Sequence, residues 1–319
     1  MNPSINPSGA NADSSFDPSQ AVTPTVLKET QPFLWSVRRE LWENRSIYIA
    51  PLVAAAVGML AFVISLFFLP HSMRQAAPLD PAHQSAMLAQ PFAHVGMLLT
   101  LTAFLVGMFY SLDALHSERR DRSILFWKSI PVSDRTTVLS KAIVPLLVLP
   151  TIVFVLAVVS QLGILLISAL VLLVAGAGAA TLWTRIPLFE MQLVLLYGLT
   201  VLALWHAPIY AWFLLVSGWA RRATFLWAVL PWLAIAAFEF VAFRTHFFGS
   251  MLIDRIFGFA EGAFNMVTPS GETIDPHLIP LSQLAPGRFL ASPSLWFGLI
   301  FATACIAAAI RLRRYRDPI

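Results

Sequence analysis

Six long apolar stretches run through this chain, at residues 47–69, 94–111, 142 to about 174, 193–216, 225–243 and 295–310. Only one charged side chain, Glu239, lies well inside any of them. Most match the roughly 20 residues needed to cross a hydrocarbon core of about 30 Å. A soluble domain carries roughly 25% charged residues, whereas this chain carries 12%, beside 58% hydrophobic. Too little polar surface remains to cover a globule in water, so lipid is the expected solvent. In lipid every backbone polar group must be satisfied within the chain, which leaves helices or closed barrels, and apolar runs without alternation exclude a barrel. The expected fold is an all-α integral membrane protein with six transmembrane helices.

The third stretch is too long for one crossing. Uncharged residues continue from 142 to 184, roughly 60 Å of helix at about 1.5 Å per residue. They form either two crossings or one crossing with an added outer segment. Lys and Arg concentrate on the cytoplasmic side of membrane proteins. Six spans with both termini cytoplasmic leave only Arg74, Arg185, Arg244, Arg255 and Arg288 outside, of 21 Lys and Arg. Splitting the stretch exports Arg221, Arg222 and the Arg-rich tail in place of other residues and puts a basic carboxyl end on the wrong face. Six spans are favoured, with a re-entrant or kinked outer segment around Gly176 and Gly178 and a bend at Pro145 and Pro150.

The same distribution of charge explains the formal +4 without nucleic acid: basic residues sit beside span ends, not along one soluble face. No nucleic-acid partner is expected. Residues 1–30 are rich in Pro, Ser, Asn and Ala and are expected to be a disordered tail. They lack the basic start and apolar middle of a secretory signal, so the first span is expected to act as the insertion signal. Residues 31–46 place Phe33, Leu34, Val37, Leu41 and Trp42 near helical spacing with charges between them, which predicts an amphipathic helix on the membrane surface. Residues 47–319 form the membrane domain. Cys305 stands alone, so no internal disulfide is possible. An outer connection at 244–293 carries several Pro and a Ser-Gly turn, with residues 247–264 apolar enough for a helix along the outer surface.

The densest charge lies in the intracellular loop 113–141. Glu118 and Arg122 stand at i, i+4, which supports a helix continuing inward from the second span. Pro131 disfavours helix at the residue before it. Ser133 then caps a new helix with Asp134 in its first turn. Between these breaks Ile124, Leu125, Phe126 and Trp127 form an apolar tip among charges of both signs. A solvated apolar tip calls for cover, either by a partner's groove or by the membrane surface.

This segment resembles the intracellular loop of type-2 ABC exporter permeases, on Glu118, Arg119, Ser123, Leu125 to Trp127, Pro131, Asp134 and Lys141. Six spans, the amphipathic lead-in helix and the larger outer loop before the last span also match. Many members carry Gly-Thr after the Glu-Arg pair and a basic residue after the Pro; here Asp121, Arg122, Ser123 and Asp134 stand there instead. The resemblance implies a multi-pass permease subunit of a bacterial inner membrane. It also implies a loop from Glu118 to Asp134 that docks on a separate cytosolic ABC ATPase, and a second permease copy or paralogue as dimer partner. ATP and Mg would be bound by that ATPase, with no cofactor in this chain. The sequence has no G-x-x-x-x-G-K-[ST] of its own.

No catalytic or metal-ligating set is expected. There is no H-E-x-x-H or G-x-S-x-G, and the His residues are scattered. Polar residues at membrane depth are candidates for a substrate path because lipid burial is costly for them. They are Gln161, Ser168, His206 and Glu239. Two rival readings remain: a membrane enzyme using His206 and Glu239 as an acid–base pair, and an anchor or sensor that recruits a cytosolic protein through the same loop.

Overall fold

The computed structural model describes residues 32–68, 81–121, 132–174, 186–265 and 279–315, and among them there is no strand. The helices are α1 (Pro32–Glu43), α2 (Ser46–Ser65), α3 (Pro81–Asp113), α4 (His116–Arg120), α5 (Asp134–Ile143) and α6 (Leu149–Val174), followed by α7 (Leu188–Trp219) and α8 (Thr224–Phe243). After them come α9 (Phe247–Phe257), α10 (Phe259–Ala263), α11 (Pro286–Ala291) and α12 (Pro293–Tyr315). Six helical rods are long and apolar enough to cross a membrane: α2, α3, joined α5 and α6, α7, α8 and α12. The expected tail at 1–30 and the segment around Gly176 and Gly178 lie outside the described residues.

α7 is the central pillar. Of its most apolar stretch 72% is buried, against 6% for α8, which buries only Ala228. α12, α3 and α6 pack around α7, and α2 closes against α3 and α6. Gly107 lets α3 approach closely: a Cβ there would lie 3.1 Å from Tyr210 on α7 and 3.2 Å from Pro145.

The third rod runs from Asp134 to Val174 as 41 residues with a π-helical turn at Val144–Val148. Pro145 and Pro150 lack the N–H groups that the carbonyls of Lys141 and Leu146 would otherwise receive. Val144 donates to the Lys141 carbonyl instead, and Leu149 reaches back to that of Val144. The two prolines therefore widen one turn of the rod.

Two connections differ from expectation. α3 already begins at Pro81, well before the apolar stretch at 94–111. The segment after α8 begins at the surface, with no residue of α9 buried, and leaves it only past Gly258. Gly258 separates α9 from α10, and the chain then turns inward, so that Ala263 and Phe264 are buried beside Val201 and Trp205 of α7. Arg288 of α11 fastens that turn by donating to the carbonyls of Glu261 at 2.6 Å and Phe264 at 2.5 Å. The pull is hydrophobic: Phe264 sets its ring edge-on to Tyr197 at 5.3 Å.

Candidate functional site

Charged side chains that are far apart in sequence meet where α1, α4, α5 and α12 converge. α1 folds with Ser36 and Glu40 on its packed face, and Glu40 has no exposed surface. Ser133 caps α5 as expected, accepting from the Thr136 N–H at 3.1 Å. That cap fixes the start of α5, and two turns later Lys141 faces the same interior. α4 brings Glu118, and the last turn of α12 brings Arg313.

Lys141 Nζ lies 2.8 Å from Glu40 Oε1 and 3.1 Å from Glu118 Oε1, so one ammonium bridges two carboxylates. Arg39 reaches both carboxylates at 3.0 Å. Arg313 donates through Nη1 to Glu118 Oε2 and through Nε to Asp134 Oδ1 at 3.2 Å. Tyr110 of α3 donates its hydroxyl to Glu40 Oε2 at 2.9 Å. Three cations thus face three carboxylates, Glu40, Glu118 and Asp134. Desolvating each ion costs several kcal/mol, so such a cluster persists only with near-complete pairing. At its rim burial, with Glu40 and Glu118 adding to it, raises the Glu43 carboxyl above its ordinary value while Arg39 opposes the shift.

The Glu-Arg pair divides its work. Glu118 enters the cluster, whereas Arg119 donates to the Gly218 carbonyl at 2.6 Å and so caps the carboxyl end of α7. Ser217 accepts from the Leu115 N–H at 3.3 Å at the break between α3 and α4. Asp121 pairs with Arg120 at 3.1 Å on the exposed side, where such a pair contributes little. Of the other loop candidates, Asp134 joins the cluster, while Arg122, Ser123, Ile124, Leu125, Phe126, Trp127 and Pro131 lie outside the described residues.

The candidate path residues do not converge. Gln161 of α6 is buried, donating to the Phe92 carbonyl at 3.0 Å and accepting from Gln192 of α7. Gln192 and His206 are separated by 14 positions of α7, roughly 21 Å along its axis. Ser168 is half-buried farther along α6. Glu239 caps α9, accepting from the N–H groups of Phe247 at 2.8 Å and Phe248 at 2.7 Å and from the Thr245 hydroxyl. It therefore pairs with a helix start, where a carboxylate is favoured.

His206 holds the other end of α9. It is 1% exposed, with Nδ1 at 2.9 Å from the Leu202 carbonyl and Nε2 at 3.0 Å from that of Ile256. A neutral ring donates from one nitrogen only, so the tautomer decides which of the two carbonyls it holds. The anchor points of Glu239 and His206 on α9 are roughly 13 Å apart along the helix, so the two are not brought together as an acid–base pair.

Sequence reasoning missed Glu40, Tyr110 and Arg313 as site residues. The spacing of Ser36 and Glu40, i and i+4 on α1, was the available signal. Arg313 was read only as part of an orienting basic tail. Arg255 was missed too: its guanidinium lies 4.6 Å from the Trp205 ring and donates to the Ser294 carbonyl at 3.2 Å. Burial pulls it below its ordinary pKa, with Asp254 opposing. Compared with family models, with curated proteins and with solved structures, the chain finds no match in any of the three.

Proposed function

We propose that this chain is the membrane-spanning permease subunit of an ATP-binding-cassette exporter in a bacterial inner membrane. Both termini are cytoplasmic, and α1 lies in the inner interface. A separate cytosolic ATPase binds ATP and Mg and docks on residues 118–134. A second permease copy or paralogue completes the membrane part.

One observation carries this reading: the buried ion cluster joins the two ends of the proposed docking segment to almost every span. Glu118 on α4 and Asp134 on α5 flank the apolar tip, and Arg313 bridges them. From Glu118 the connections run to α5 and its span through Lys141, to α12 through Arg313, and to α1 through Arg39. Glu40 extends them to α3 through Tyr110, and Arg119 to α7. α1 leads into α2 across Asn44 and Arg45 alone. A push delivered at the tip therefore reaches five of the six rods through single hydrogen bonds or that short link, with α8 standing apart. Helices joined by such ion pairs and hydrogen bonds shift as rigid elements. The charge asymmetry of the loops supports the same orientation.

The test is the double substitution Phe126→Ala with Trp127→Ala. ATPase activity that co-purifies with the tagged parent chain should be lost from the variant, while its thermal unfolding stays unchanged. Co-purification and substrate movement at parental levels would overturn the proposal.

A further inference from the structure

We propose that the exposed face of α1 is a seat for anionic phospholipid headgroups, with Arg38 as its cation. This rests on the interfacial placement of α1 given above and names the lipid that such a helix would select.

α1 packs with its ionic side inward. Ser36 and Glu40 are buried, whereas Leu34, Trp35 and Trp42 are 59%, 59% and 64% exposed. An amphipathic helix on a soluble surface hides its large apolar residues; here the ion cluster occupies the inner side, so they face out. Two indoles and a leucine on one helix face call for cover.

Between the indoles sits a cation. The Arg38 guanidinium carbon lies 5.5 Å from the Trp35 ring centroid and 4.7 Å from that of Trp42. Arg39, Lys141 and Arg313 are all engaged by carboxylates, but among the described residues Arg38 makes no ion pair. Aromatic contact holds a guanidinium by its π surface and leaves its N–H fork for an oxyanion. Phosphate suits that fork because it accepts two parallel hydrogen bonds.

Position chooses the occupant. α1 ends at Glu43 and α2 begins at Ser46, so the face sits one short turn from the start of a rod long and apolar enough to cross a membrane. Tyr48, Ile49 and Leu52 of α2 are exposed in turn, past the exposed polar residues Glu43, Arg45 and Ser46 of the short link. Tryptophan favours this headgroup layer, and cytoplasmic leaflets are anionic. A patch of indoles around a cation, with exposed polar residues between it and the apolar start of a span, matches the headgroup layer better than a protein interface.

The full chain is reconstituted in nanodiscs of phosphatidylcholine alone or with phosphatidylglycerol added, and amide exchange is followed across residues 33–45. With phosphatidylglycerol, exchange should slow roughly fivefold, the contribution of one interfacial arginine near an anionic leaflet. Arg38→Gln should abolish that difference while leaving exchange in phosphatidylcholine unchanged. Equal exchange of the parent chain in both discs would overturn the proposal. The double variant Trp35→Ala, Trp42→Ala should speed exchange in both lipids; if it changes neither, the interfacial placement of α1 itself fails. Equally slow exchange in detergent without phospholipid, together with a dimer mass, would assign the face to a second copy instead.

Discussion

Replacing Glu118 by glutamine keeps the shape of the side chain and removes one negative charge from a site that holds three cations. In the folded chain this carboxylate receives Lys141 at 3.1 Å, Arg39 at 3.0 Å and Arg313. The variant leaves the buried cluster with a net charge of +1. Removing one partner of a buried pair costs about 3–5 kcal/mol. Glu40 still holds Lys141 at 2.8 Å and Asp134 still holds Arg313 at 3.2 Å, so the loss belongs at the lower end, about 3 kcal/mol. For a chain of this size that corresponds to a fall of about 5–10 °C in the midpoint of thermal unfolding. The assay is thermal unfolding of the purified chain in detergent at neutral pH. Combining Glu118→Gln with Lys141→Met restores neutrality and should recover a coupling energy of about 1–2 kcal/mol. If Glu118→Gln unfolds at the parental temperature, or the double variant loses the sum of the two single losses, the cluster does not act as one electrostatic unit.

Two further substitutions probe the segment between α8 and α12. His206→Leu removes the imidazole that contacts the Ile256 carbonyl, which should speed amide exchange in α9 by roughly fivefold, since a net hydrogen bond contributes about 1 kcal/mol; unchanged exchange would mean that packing alone holds α9. At Gly298 a Cβ would lie 1.7 Å from Arg255 Nη2 and 3.0 Å from Pro208. Gly298→Ala should therefore expel the Arg255 guanidinium and open a tryptic site after Arg255 that the parent chain resists; identical digestion patterns would sink that account.

The spans were legible because lipid burial needs long uncharged runs, and all six candidate crossings coincide with helices. Their ends were less so. α12 continues to Tyr315, past the apolar stretch that ends at 310, because Arg313 pairs with Glu118 and Asp134 and stays helical without an apolar signal. The Ser133 cap was readable, since it depends on a contact three residues away. The ion cluster was not: Glu118 and Arg313 lie 195 positions apart, and nothing local tells a paired buried arginine from one that merely orients a terminus. Glu239 and His206 stood out as polar residues within apolar stretches. Their partners, the two ends of α9, were hidden because that helix reads like a surface element. Its inward turn at Gly258 depends on the long-range attraction of Phe264 for the apolar side of α7.

Arg313 sits on the last of the six rods to leave the ribosome. Until it arrives, the nascent chain has Arg39 and Lys141 against Glu40, Glu118 and Asp134, an acid surplus that resists enclosure. The arginine from the final helix balances that surplus. A chain truncated before α12 would keep these acids hydrated and its opening helix loose. Enclosure of the cluster thus waits on α12 in time, because its arginine is the last of these six charges to be made.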